Sequence, residues 1–189
     1  METISKYHIT NEELATELRY VEEAKADPAK FEVLYNKYYE GILRFIYQRL
    51  DDKETAFDLT SQVFLNALNH LHKYEFRGVP FASWLYRIAR NELNQLFRSN
   101  KAQRTINIES VQVNELIDQM EEDHLAIYRD KLMDVIKDLP ESDLQLIEMR
   151  YFEKRAFKEI AEILNITENN VKVKVYRVLE RLKKMILKK

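Results

Sequence analysis

The sequence predicts an all-α fold: two small helical domains, the C-terminal one a helix-turn-helix, joined by a flexible acidic linker. Three observations point there. Only two glycines and three prolines punctuate 189 residues, too few turn formers for a hairpin-rich sheet protein. Apolar residues recur at the i, i+3, i+4, i+7 spacing of amphipathic helices along most of the chain. Between Thr105 and Asp123 the composition changes, to six acidic residues (Glu109, Glu115, Asp118, Glu121, Glu122, Asp123) with no basic one. The predicted organisation is therefore a first domain over 1–99, a linker over 100–121 passing into helix near Glu121, and a second domain over 122–189.

Each element has a local reason. Thr10-Asn11-Glu12-Glu13 has capping-box spacing, a hydroxyl at the N-cap and a carboxylate three residues on, ahead of a helix that runs to about Ala26. Asp27-Pro28 opens a second helix, since proline in the first turn gives up an amide with no helical partner anyway. Phe31, Leu34, Tyr35 and Tyr38 then share its apolar face, and Asp51-Asp52 ends it after Leu50. A third helix covers Glu54 to Leu71. The loop HKYEFRGVPF, carrying Gly78 and Pro80, leads to a fourth from Ser83 to about Arg98. Beyond the linker, helices run to Leu139 before Pro140, from Glu141 to Phe152, and from Phe157 to Leu164.

The closing stretch, NNVKVKVYRVLERLKKMILKK, needs arbitration. Val171, Val173 and Val175 alternate with lysines as in a strand, but the alternation fails at Arg177 and Arg181. On a helix Val171, Val175, Val178, Leu179, Leu182, Met185 and Ile186 share an arc of roughly 120°. Thr167 supplies an N-cap hydroxyl and Glu168 an anion for the first turn, while lysines crowd the last turns. The segment is a helix, and Val173 is stranded on its basic face.

The chain has no cysteine, which excludes a disulfide scaffold and thiolate metal sites. No apolar run approaches the roughly 20 residues that span a bilayer, and METISKYHIT lacks a secretory core. The expectation is a cytoplasmic protein without membrane insertion. The net charge of −2 conceals a polarity, with +7 from Arg150 to Lys189 and −9 before it. A basic end with helical spacing suits nucleic acid.

Two constellations could act on such a partner. Phe157, Ile160, Ala161 and Leu164 form one apolar face, Asn165-Ile166-Thr167 turns the chain, and the last helix follows. Asparagine is, after glycine, the residue best able to take the left-handed conformation such a turn requires. The second helix would then carry Asn169, Asn170, Lys172, Val173, Lys174, Arg177 and Arg181 toward a major groove. There Lys and Arg donate to guanine, Asn pairs with adenine and Val touches a thymine methyl. In FASWLYRIARNELNQLFR, Leu85, Ile88, Ala89, Leu93 and Leu96 face inward. Arg87, Arg90, Asn91, Asn94 and Arg98 form a donor stripe without a carboxylate. Beside it Tyr74, Phe76, Arg77 and Phe81 cluster in the Gly/Pro loop. These aromatics could stack on unpaired bases or pack in the core, and Trp84 reads as core.

DLTSQVFLNAL, FASWLYRIARNELNQLFR and LPESDLQLIEMRYFEKRAFKEIAEILNITENNVKVKVYRVLERLKKM, in that order, resemble a bacterial RNA polymerase sigma factor of the extracytoplasmic-function type, in the sigma-70 family. The resemblance covers about Asp27 to Met185. It implies a domain two that binds core polymerase and melts the minus-ten element, and a domain four that reads the minus-35 element. It also implies polymerase contacts at Asp58, Leu59, Gln62, Phe64 and Leu65, and minus-ten contacts at Tyr74, Phe76, Arg77, Arg87, Arg90, Asn91, Asn94 and Arg98. The basic face of the last helix would read the minus-35 element. RNA polymerase core, promoter DNA and an anti-sigma factor are the implied partners, with no cofactor or metal. Where the family reads close to D-L-V-Q-E, this chain has Asp58-Leu59-Thr60-Ser61-Gln62, one acid fewer.

A self-sufficient helix-turn-helix regulator would explain the C-terminus but leave the Arg/Asn stripe idle. An enzyme is not expected. His70-x-His72 lacks the i, i+4 ligand spacing, His8 and His124 stand alone, and no phosphate-binding glycine loop is present.

Overall fold

The computed structural model describes residues 10–50, 52–99 and 129–188. The predicted linker 100–121, its carboxylates, the residues immediately after it, and His8 and His124 lie outside the described residues. The described residues fall into two compact, helical units.

The N-terminal unit contains α1 (Asn11–Ala26), a 3-10 turn (Pro28–Lys30), α2 (Phe31–Tyr47), α3 (Lys53–His70), a second 3-10 turn (Leu71–Lys73) and α4 (Phe81–Arg98). The capping box is present: Glu13 N–H donates to Thr10 Oγ1 at 3.2 Å, and Thr10 N–H to Glu13 Oε2 at 2.7 Å. Asp27 accepts from the Ala29 amide at 3.0 Å and so starts the turn into α2. Asp52 caps α3 through the Thr55 amide at 2.7 Å. Leu34, Ile42, Ile46, Val63, Phe81 and Leu85 are buried at the centre, each large aliphatic contributing roughly 1.5–3 kcal/mol by leaving water. Gly41 lets α2 and α4 close up, because a Cβ there would stand 3.0 Å from the Tyr86 hydroxyl oxygen.

Helix α4 begins two residues before the expected Ser83. Pro80 precedes it and provides no side-chain cap. Its first amide, on Phe81, instead donates to Glu17 Oε2 of α1 at 2.5 Å. The cap comes from 64 residues away, where no local signal could announce it.

The C-terminal unit contains α5 (Arg129–Lys137), α6 (Glu141–Ile147), α7 (Phe157–Leu164) and α8 (Glu168–Lys188). The helix expected to continue to Phe152 widens into a π-helical turn over Glu148–Phe152. The Arg155 amide then reaches back to the Met149 carbonyl at 2.9 Å, and the Arg150 side chain donates to the Arg155 carbonyl at 2.8 Å. Arg150 also lies 4.2 Å from the Phe157 ring centroid. Lys154 takes the left-handed conformation at φ 55° to make this corner. Asn165 does the same between α7 and α8, as its residue type predicts.

Candidate nucleic-acid interface

Helix α8 keeps the expected register. Val171, Val175, Val178, Leu179, Leu182 and Ile186 are buried, with Met185 at the margin. Thr167 accepts from the Asn170 amide at 3.3 Å. Asn169, Asn170, Lys174 and Arg177 are exposed, and Val173 is 39% exposed among them. Val173 is therefore not packed on a neighbouring helix. Lys172, Arg181 and Lys183 on this helix have acidic partners, Lys183 with Glu180 at 3.9 Å. Lys172 pairs with Glu168 at 2.8 Å, a solvent-exposed i, i+4 contact that costs little to break. Arg181 is ion-paired with Asp143 of α6. Arg181 is itself exposed, and an ion pair of this kind does not take it out of the basic face. Tyr176, 62% exposed and one turn after Val173, extends the apolar strip. The sequence alone does not single it out, because a tyrosine flanked by Val175 and Arg177 fits either face.

In the N-terminal unit the loop aromatics separate. Phe76 is 42% exposed and Arg77 is exposed beside it, while Gly78 at φ 68° turns the backbone back toward α4. Tyr74 is 6% exposed. Its ring meets Phe81 edge-on at 5.0 Å and Trp84 at 5.3 Å, so Tyr74 belongs to the core and does not offer a face to a base. Burial, and then the charge of Glu17, push its hydroxyl up to about 12. Trp84 packs against the same core, as expected. Along α4, Asn91 and Arg98 are exposed, while Arg87, Arg90 and Asn94 are half-buried. Burial, and then the neighbouring Arg77 charge, hold the Arg87 guanidinium below its ordinary value.

The expected polymerase face on α3 is similarly divided. Asp58, Gln62 and Leu65 are exposed and Leu59 is half-buried. Phe64 is buried against Phe31, Tyr35 and Tyr39, with centroids 6.4, 4.8 and 6.1 Å away. It is a core residue, which corrects the contact assigned to it. Phe57 and Ser61 stand exposed on the same side as Asp58, Gln62 and Leu65. Their i, i+4, i+8 spacing with Leu65 was the available signal. Among the described residues no cluster could hold a metal ion, and no helix is long and apolar enough to cross a membrane.

Residues 34–103 match the family model of Sigma-70 region 2, and residues 129–182 that of Sigma-70 region 4. The chain is 30% identical over 161 residues to the RNA polymerase sigma factor YlaC of Bacillus subtilis, covering 83% of this chain and 92% of that one. It is 29% identical over 172 residues to the ECF RNA polymerase sigma factor BldN of Streptomyces coelicolor, covering 89% of this chain but only 65% of BldN. Its fold is similar to that of CnrH, solved in complex with the cytosolic domain of CnrY, with a TM-score of 0.62 at 14% identity, covering 90% of this chain and 96% of that one. It is also similar to the Bartonella quintana sigma factor RpoE, solved with the anti-sigma factor NepR, with a TM-score of 0.56 at 16% identity, covering 82% and 96%.

Proposed function

Because this chain belongs to the extracytoplasmic-function sigma factors of the sigma-70 family, transcription initiation factors that direct RNA polymerase to promoters, we propose that its two units divide the promoter between them. The C-terminal unit lays α8 into the major groove of the minus-35 element. Asn169, Asn170, Lys174 and Arg177 face base edges or phosphates, and Val173 and Tyr176 meet the apolar surface of thymine. The N-terminal unit opens the minus-ten element. Phe76 stacks on an unstacked base, while Arg77, Arg87, Arg90, Asn91, Asn94 and Arg98 follow the single-stranded backbone. Asp58, Gln62 and Leu65 on α3, joined by Phe57 and Ser61, dock on core polymerase. On this reading the partners are core polymerase, promoter DNA and an anti-sigma factor; the protein works in the cytoplasm without cofactor and is not itself an enzyme.

The observation that carries this reading is the pairing of two separate donor surfaces on one chain, each accompanied by an exposed apolar side chain, Val173 in one unit and Phe76 in the other. Neither surface is large, so each alone binds weakly. A scaffold that holds both at the correct spacing turns the second contact into an intramolecular one. Unstacking a base costs a few kcal/mol, which stacking on Phe76 and contacts to nearby cations can offset. The test is transcription from a random promoter library with purified core polymerase. Transcripts should select two short sequence blocks at fixed spacing, and the free chain should bind the same promoters only weakly. Nanomolar, sequence-specific binding by the free chain would favour a self-sufficient regulator instead.

A further inference from the structure

Helix α1 lies ahead of residue 34, where the match to region 2 begins, yet it grips both ends of the loop from Tyr74 to Pro80. At the α4 end, Glu17 is 3% exposed. Its carboxylate accepts from the Phe81 amide at 2.5 Å, from Lys37 Nζ at 2.8 Å and from the Tyr38 hydroxyl. At the other end, Lys25 Nζ donates to the Tyr74 carbonyl at 3.0 Å and is steadied by Glu22 at 2.9 Å. The same ammonium lies 5.8 Å from the centroid of the Tyr74 ring.

A buried carboxylate is costly to keep, and removing one partner of such a cluster costs more than the cluster gains over an apolar replacement. Val21 and Ala24, with Tyr20 beside them, already pack the apolar side of α1 on the core. What Glu17 adds is direction. It sits at the N-terminus of α4, where the helix dipole favours an anion, and fixes where that helix starts. Lys25 fixes where the loop leaves the 3-10 turn. Between these two points only six residues remain, and Phe76 and Arg77 are exposed among them.

We infer that Glu17 and Lys25 are positioning residues for promoter opening: α1 is a brace that holds the loop so that Phe76 and Arg77 meet the separating strand. The inference rests on the reading of the loop as the minus-ten surface. A loop fixed in advance loses less conformational freedom on binding, so the brace acts on the opening step and not on docking to polymerase.

The experiment compares two templates with holoenzyme made from core polymerase and the full chain, well below the unfolding temperature. One is a duplex promoter, with opening scored by permanganate reactivity of thymines; the other carries a premelted bubble over the minus-ten element. Glu17→Ala should lower duplex opening by about tenfold, the scale set by losing hydrogen bonds to a charged group. Activity on the bubble should stay within about twofold of wild type. Glu17→Gln, which keeps an acceptor for the Phe81 amide, should recover part of the loss. Unchanged duplex opening, or an equal loss on both templates, overturns the inference. If Glu17→Ala fails to fold by circular dichroism, Lys25→Met decides on the same templates. A loss of about threefold confined to the duplex supports the brace, and no loss or an equal loss overturns it. A wild-type holoenzyme that opens no duplex promoter contradicts the minus-ten reading itself, and the brace falls with it.

Discussion

The two units build their exposed surfaces on opposite plans. In the C-terminal unit the surface is one side of α8, and its orientation follows from the residues of α8 alone: six buried apolar side chains on one arc put Val173, Tyr176 and Arg177 on the other. In the N-terminal unit the surface is a short loop whose ends are held by Lys25 and Glu17, 49 and 64 residues away in sequence. A periodic surface is encoded locally and survives changes elsewhere. A loop surface is encoded at a distance and inherits the stability of whatever braces it.

The sharpest way to break this contrast is inside the loop, where neighbouring aromatics have opposite roles. Tyr74→Ala should destabilise the N-terminal unit by about 3 kcal/mol, the usual cost of emptying a large aromatic site. Phe76→Ala should change stability by less than about 0.5 kcal/mol, as exposed substitutions do. Urea unfolding of the full chain measures both. Equal costs would mean that Phe76 is packed as tightly as Tyr74.

The N-terminal unit also carries a buried group with no visible return. Ser83 Oγ lies inside α4 without a hydrogen-bond partner among the described residues, and an unsatisfied buried hydroxyl costs about 1–3 kcal/mol. Ser83→Ala should raise stability by about 1 kcal/mol in the same assay. In the C-terminal unit the corresponding reserve is in the backbone. Lys154 and Asn165 both sit at φ 55°, a conformation that costs lysine more than asparagine. Lys154→Gly should stabilise by about 0.5–1 kcal/mol and Asn165→Gly by at most a few tenths.

Alkaline pH acts on both units alike. Tyr74 and Tyr151 each have a hydroxyl pushed up to about 12, chiefly by burial. Since the folded pKa is raised, the stability they contribute is complete below about pH 10 and is lost as pH rises toward 12. Tyrosine absorbance at 295 nm should show two groups titrating near pH 12, with Tyr151→Phe removing one of them. Early titration of both would mean that their sites admit water.

What could be read from the sequence follows the same divide. The capping box at Thr10, the left-handed Asn165 and the register of α8 each depend on residues within a few positions of one another, and all three hold in the structure. The start of α4 at Phe81 depends on Glu17, 64 residues away, and leaves no local pattern. The π-helical turn at Glu148–Phe152 is closed locally, by Arg150 on the Arg155 carbonyl five residues on, but that contact has no recurring spacing to announce it. The site residues split likewise. Exposure of Asp58, Gln62 and Leu65 follows from helical spacing, whereas the burial of Phe64 and Tyr74 depends on rings from α2 and α4. The contact of Arg181 with Asp143, 38 residues earlier, likewise leaves no trace in the spacing of the basic face.

The division of the promoter between a helix face and a braced loop is tested most directly by one measurement: library transcription by holoenzymes carrying Val173→Ser or Phe76→Ala. Val173→Ser should weaken thymine preference at one position of the upstream block by several-fold, about 1 kcal/mol for a few tens of Å² of lost apolar contact. It should leave the downstream block as in the wild type. Phe76→Ala should lower output and relax the downstream block alone. If either substitution shifts the other's block, or if Val173→Ser lowers the melting temperature while base preference holds, the two surfaces do not read the promoter separately.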